Sequence, residues 1–252
     1  MTFQQPDYSK CWAQCLGDCG GPMSREHIVS KCLYGPNVKV KGLPWCKVEW
    51  SYRSIDNLTS KILCKDHNSR LSDVDDGARH TLDTIIDAFA LWNLRSKIIS
   101  RRWTIRHFTT NMLLLERWCL KTLINTNLNL KPGWPIKGDS PGPTDELVRI
   151  AFGMERFRRP MGLYVVGSEK PEQRTMNLEE SEITIVIETA NDRLSGATFD
   201  MWGLNFLLSL HPEERTMKNG GRLIGRNGMD HKFQTHDDKG RLVLSHVLKY
   251  EY

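Results

Sequence analysis

The sequence predicts an α+β protein, and its change of texture along the chain is what predicts it. The first 75 or so residues are rich in Cys, Gly and Pro and show little helical periodicity. A middle stretch carries apolar residues at helical spacing, and beyond Pro160 short β-like runs take over. The expected layout is a metal-stapled N-terminal module with a helical extension over residues 1–130, a linker over 131–143, and a β-rich domain over 144–252.

Each element has its own local reason. Val38-Lys39-Val40 and Ile62-Leu63 are short strand candidates, with turns at Gly35-Pro36 and Leu43-Pro44. From Thr81 to Ile99, Leu82, Ile85, Ile86, Phe89, Trp92 and Leu94 recur as one helical face. A second helix is expected over Asn111 to Ile124, where Met112, Leu115, Trp118, Cys119 and Leu120 form a broad stripe. The stretch PGWPIKGDSPGP, with four prolines and three glycines, reads as the linker. Thr144 is placed to cap a helix whose first turn carries Asp145 and Glu146, followed by apolar Leu147, Ile150 and Ala151. Strands are then expected at Leu163 to Val166, Ile183 to Ile187, Leu204 to Leu208, Arg222 to Ile224 and Leu242 to Leu248.

Composition narrows the function classes. Hydrophobic content of 39% and charged content of 26% in 252 residues are ordinary for a folded protein. The net charge of +5 permits a polyanionic partner without demanding one. No stretch approaches the roughly 18 apolar residues of a membrane span, and the first residues lack a signal-like apolar run, so a cytoplasmic protein without membrane partners is expected. Seven cysteines, an odd number, argue against a disulfide framework in such a compartment. Six of them fall within the first 64 residues, a concentration that points to metal.

Cys64 and His67 form a Cys-x-x-His knuckle, a spacing that brings two ligands to one tetrahedral zinc ion. The mating pair comes from Cys11, Cys15 and Cys19. Cys19, followed by Gly20-Gly21, is the favoured first member, and Cys15 the favoured second, with Cys11 as the alternative. Cys32 and Cys46 read as ordinary buried thiols. A structural zinc would staple the two segments of a small Gly-rich module.

Beside these ligands lie Glu26-His27 and Asn68. An imidazole with a pKa near roughly 6.5 suits a general base at neutral pH, and Glu26 and Asn68 are oxygen ligands fit for a hard divalent cation such as Mg²⁺ or Mn²⁺. The stretch from Arg95 to Phe108 holds Arg101, Arg102 and Arg106 with Trp103 between them, a composition suited to phosphate contacts and stacking. Arg25 and Arg70 are further phosphate candidates, and Arg156, Arg158 and Arg159 form a second basic cluster. The acids from Asp73 to Asp76 read as favourable charges at a helix N-terminus.

Glu26-His27 followed by Cys64, His67 and Asn68 resembles the His-Asn-His, or His-Me finger, nuclease superfamily, and is similar to its endonuclease VII branch. The resemblance covers about Cys11 to Arg70. It implies a ββα-metal site, hydrolysis of phosphodiesters in DNA more than in RNA, His27 as base, and one divalent cation on Glu26 and Asn68. Asn57-Leu58 is similar to the family's middle Asn-Leu. Three departures stand out: His67 replaces a cysteine as last zinc ligand, Asn68 stands where many members have His, and Lys31 to Ser60 is longer than in minimal members, which implies an insertion. The competing expectation is a zinc-stabilised nucleic-acid-binding module without catalysis. A homodimer, and an activating partner or ligand at the C-terminal domain, are left open.

Overall fold

A computed structural model describes residues 7–43, 46, 49–96, 106–131, 133–136, 140, 142–167, 182–210, 222–225, 231–236 and 242–251. The chain is mixed α and β. A short hairpin pairs β1 (Met23–His27) with β4 (Thr59–Cys64), and α2 (Lys65–Arg70) and α3 (Ser72–Ser96) follow directly. Between the two hairpin strands lie α1 (Lys31–Tyr34), β2 (Asn37–Lys41) and β3 (Ser51–Ser54). Next come β5 (Arg106–Asn111), α4 (Met112–Asn129) and α5 (Asp145–Ala151). The chain then continues through β6 (Gly162–Gly167), β7 (Glu182–Ala190), β8 (Arg193–Met201), β9 (Leu204–Ser209), β10 (Arg222–Gly225), β11 (His231–His236) and β12 (Leu242–Glu251).

The larger sheet has the order β10-β6-β9-β8-β7-β2-β3, and a second has the order β11-β12-β5. Strands from both sides of residues 131–143 therefore share both sheets. β2 runs parallel to β7, with Val40 opposite Ile183, and β5 runs parallel to β12. Val38 and Val40 turn inward beside Ile183 and Ile185, while Lys39 and Lys41 turn outward, the alternation expected of a half-buried strand. At the end of β2, Gly42 has φ +82°, and a Cβ there would lie 1.7 Å from the Ile185 carbonyl oxygen, so only glycine lets the strands close. One apolar core runs from Cys11 to Leu208 and takes in the hairpin, the helices and the sheet.

α4 is the axis of that core. The expected stripe of Met112, Leu115, Trp118, Cys119 and Leu120 is buried, but so are Glu116, Lys121, Asn125 and Asn127. The helix touches α3, α5, β4, β6, β8, β9 and β12, leaving little of its surface to water. Its buried polar groups consequently need partners. Asn127 clasps Trp134, donating to its carbonyl at 2.8 Å and accepting from its N–H at 2.9 Å. Leu194 N–H donates to the Pro135 carbonyl at 2.9 Å. The described part of the Pro- and Gly-rich stretch is thus tied to the fold at Trp134 and Pro135. Thr144 caps α5 as expected, its hydroxyl accepting from Leu147 N–H at 3.3 Å.

Candidate metal centre and the hairpin beside it

Three thiols and one imidazole converge where the hairpin meets α2. The donor atoms of Cys11, Cys19, Cys64 and His67 all lie within 4.8 Å of one another. From His67 Nδ1 the sulfurs of Cys64, Cys11 and Cys19 stand at 3.2, 3.3 and 3.6 Å. A tetrahedral ion with Zn–N near 2.0 Å and Zn–S near 2.3 Å needs neighbouring donors about 3.5–3.8 Å apart, so the set is compatible with zinc. Burial raises the Cys19 thiol to about 12, with help from the neighbouring Cys11 and Cys64 sulfurs. Burial works the same way on Cys64, but the N–H groups of His67 and Gly20 outweigh it and hold that thiol below its usual value. The far side of the imidazole is also fixed: His67 Nε2 lies 2.7 Å from Asp18 Oδ1, and Asp18 accepts from Arg70 at 2.6 Å. A carboxylate on the second ring nitrogen is the usual support of a metal-ligating histidine.

Cys11, rather than the favoured Cys15, completes the set. Trp12 N–H donates to the Ile62 carbonyl at 3.0 Å, which lays residues 11 and 12 along β4 and brings Cys11 Sγ to 3.4 Å from Cys64 N–H. The short 3-10 turn Gln14–Leu16 then swings Cys15 to the surface, where its thiol faces Asp145. Cys46 is buried and Cys32 half-buried, and neither joins the cluster.

The hairpin presents the remaining candidates, but on different sides. Register slips between Ser24 and Glu26, a bulge that leaves Arg25 exposed and Glu26 inward. Asn68 reaches back from α2 to this bulge, its amide donating to Ser24 Oγ at 2.9 Å and to the Arg25 carbonyl at 3.3 Å. Glu26 is only 3% exposed and points into the core, where Lys121 Nζ lies 2.7 Å away and Asn125 donates at 3.3 Å. Burial pushes its carboxyl up, against the pull of Lys121. Lys121 also meets both oxygens of Asp75, at 2.7 and 2.8 Å, and these two carboxylates outweigh burial and keep the ammonium charged. Ser30 donates to Asp75 at 2.7 Å and accepts from Trp118 Nε1 at 2.8 Å. Glu26 is therefore the counterion of a buried lysine, with Lys121 and Asn125 both on its Oε1.

His27 faces the opposite way and is half-buried. Its carbonyl accepts from Asn125 at 3.2 Å, which fixes the backbone, while ring Nε2 stands 3.8 Å from Asp56 Oδ1. Burial lowers the imidazole pKa below its usual value, and Asp56 only partly opposes this. Asp56, in the 3-10 turn Ile55–Asn57, accepts from Lys31 at 2.8 Å, and that lysine holds its carboxyl below the ordinary range. Asp56, Lys121 and Asn125 were missed in the sequence. Their only signal was polar residues within an apolar helix pattern, and an acid next to the Asn57-Leu58 pair.

Of the basic candidates, Arg25 and Arg70 are exposed, and Arg70 is engaged with Asp18. Arg101 and Arg102 lie outside the described residues, and Arg106 opens β5 without a described side chain. Asp73 and Asp75 do stand in the first turn of α3. No helix among the described residues is long and apolar enough to cross a membrane. No family model, no curated protein and no solved structure matches this chain.

Proposed function

We propose that the protein is an endonuclease of the His-Asn-His type that hydrolyses phosphodiester bonds, in DNA more than in RNA, with His27 as general base and a structural zinc on Cys11, Cys19, Cys64 and His67. One observation carries this reading: an antiparallel β1–β4 pair, closed by α2 over a Cys₃His donor set, holds a half-exposed histidine of lowered pKa beside a carboxylate. A base of that kind is largely neutral, hence ready to accept a proton from water, at physiological pH. Asp56 orients the imidazole and favours the imidazolium once the proton has moved. Asn125 holds the strand that carries it. Asn68 ties α2 to the same strand.

A divalent cation in such enzymes supplies Lewis acidity toward the scissile phosphate. Glu26 is already engaged at Oε1 by Lys121 and Asn125, which weakens it as a partner for Asn68 in that shell. The same observation favours a second reading, a zinc-stabilised module that binds nucleic acid without cutting it.

Cleavage of plasmid and single-stranded DNA with Mg²⁺ or Mn²⁺ separates the two. Wild type should cut, and His27→Ala should not, with zinc content and folding unchanged. Equal cutting by both removes His27 from the reaction. Salt-sensitive binding with no cutting by either selects the binding module.

A further inference from the structure

We propose that the outward face of β2 and β3, where Trp50 and Tyr52 stand beside Lys39 and Lys41, is a stacking platform for the unpaired bases of a single-stranded nucleic acid. The platform rests on the nucleic-acid reading above but not on cutting. Lys39 lies directly opposite Tyr52 in the β2–β3 ladder, so the two side chains share a face, and Lys41 lies two residues on along it. The Lys39 ammonium stands 5.0 Å from the Trp50 ring centre and 5.9 Å from that of Tyr52. The Lys41 ammonium stands 5.8 Å from the Trp50 ring centre. Trp50 is 42% exposed and Tyr52 72%, although the outward positions of a half-buried strand are ordinarily polar. β3 is the last strand of the larger sheet, so these rings stand at its rim.

Charge points to the same partner. Residues 31–60 hold five Lys or Arg against two acids, Glu49 and Asp56, and Lys31 engages Asp56. Lys39 pairs with Glu182, whereas among the described residues no carboxylate pairs with Lys41. The other acids of this face sit further into the sheet: Glu188 on β7 accepts from Thr198 at 2.9 Å, and Asp200 lies on β8. Flat rings that take up bases, with ammonium groups beside them for the phosphates, bind a single strand with little regard to its sequence. In a duplex the base faces are already stacked, so such a platform selects unpaired strand. Position fits a substrate contact as well. Tyr52 precedes Asp56 by four residues, at most about 14 Å of chain, and Asp56 Oδ1 lies 3.8 Å from His27 Nε2. A strand stacked on Tyr52 therefore lies close to the proposed general base.

The test measures binding of a labelled oligonucleotide, as single strand and as duplex of equal length, across a salt series. Wild type should favour the single strand. Tyr52→Ala should weaken single-strand binding about 5- to 150-fold with the slope of log K against log salt unchanged, while Tyr52→Phe, which keeps the ring, should bind as wild type. Lys41→Gln should instead lower the single-strand slope by about 0.7. Tyr52 is exposed, so its removal should leave the melting midpoint in place and separate lost binding from lost folding. Single-strand binding by Tyr52→Ala equal to that of wild type, or an equal loss on duplex, overturns the platform and leaves nucleic-acid binding to another part of the protein. No binding by wild type ends both readings. A dimer that sedimentation detects in wild type and not in Tyr52→Ala would make this face an interface between copies, and overturns the platform too. Cleavage is scored separately: cutting that depends on His27, with Tyr52→Ala binding unchanged, keeps the nuclease and removes the platform.

Discussion

Replacing Lys121 with methionine keeps the unbranched stem, one atom shorter, and deletes the charge that holds β1 to α4. In the wild type the ammonium sits 2.7 Å from Glu26 Oε1 and 2.7 Å from Asp75 Oδ1, at 1% side-chain exposure. After the substitution Glu26, itself 3% exposed, keeps one amide at 3.3 Å and no counterion. Breaking a buried pair from one side costs about 3–5 kcal/mol. Asp75 adds little, because its side chain is 23% exposed and retains Ser30. At about 2–4 °C per kcal/mol for a chain of this size, the melting midpoint should fall by about 6–20 °C. Lys121→Met with Glu26→Gln removes both charges and should recover most of the loss, since neutral replacements of buried pairs are often near-neutral. The deficit of the single variant should also shrink on acidification. An unpaired buried Glu26 has a folded pKa above its unfolded value, so the folded state binds the proton more tightly and gains stability as pH falls through that folded pKa. Denaturant unfolding of wild type, single and double variants at neutral and mildly acidic pH measures all of this. A single variant within about 1 kcal/mol of wild type, or a double variant no better than the single, would refute the counterion role of Glu26.

Three further outcomes are expected. Cys11→Ser and Cys64→Ser should lose zinc by elemental analysis, whereas Cys15→Ser should keep a full equivalent; zinc loss from Cys15→Ser would show the ligand set to be misassigned. The acid limb of kcat/KM should fall below pH 6.5, because the imidazole is lowered, and Asp56→Asn, which removes the charge that opposes burial, should move it lower still. The same shift bears on stability. A depressed folded pKa means that the contribution is fully present above the unfolded value near 6.5 and is lost as pH falls through the folded pKa, so His27→Gln should flatten that part of the stability profile.

Local features were the legible ones. Cys64-x-x-His67 is a single turn of chain, and Thr144 caps α5 through the N–H of Leu147, three residues on, so neither depends on distant structure. The choice between Cys11 and Cys15 was not legible, because both have acceptable spacing to Cys19. It is decided by the Trp12 bond to Ile62, a contact between segments fifty residues apart in sequence. Glu26 misled for a related reason. Its neighbour His27 suggested a shared role, but the bulge at Arg25 and a lysine on α4 turn the two side chains to opposite sides. Strand content near the C-terminus could be seen from composition, whereas the parallel pairing of β2 with β7 could not, since no local pattern names a partner so remote.

That remote pairing has a consequence in time. Lys39 and Glu182 are 143 residues apart, so at about 5–20 residues per second the ribosome adds the partner strand roughly 7–30 s after β2. Every motif residue of the hairpin has been made long before then, yet β2 and β3 still lack the rest of their sheet. A nascent chain carrying His27, Asn68 and the cysteine cluster thus has Asp56 held by Lys31 and its turn by the Pro36 carbonyl, while β2 keeps one open edge until β7 is made.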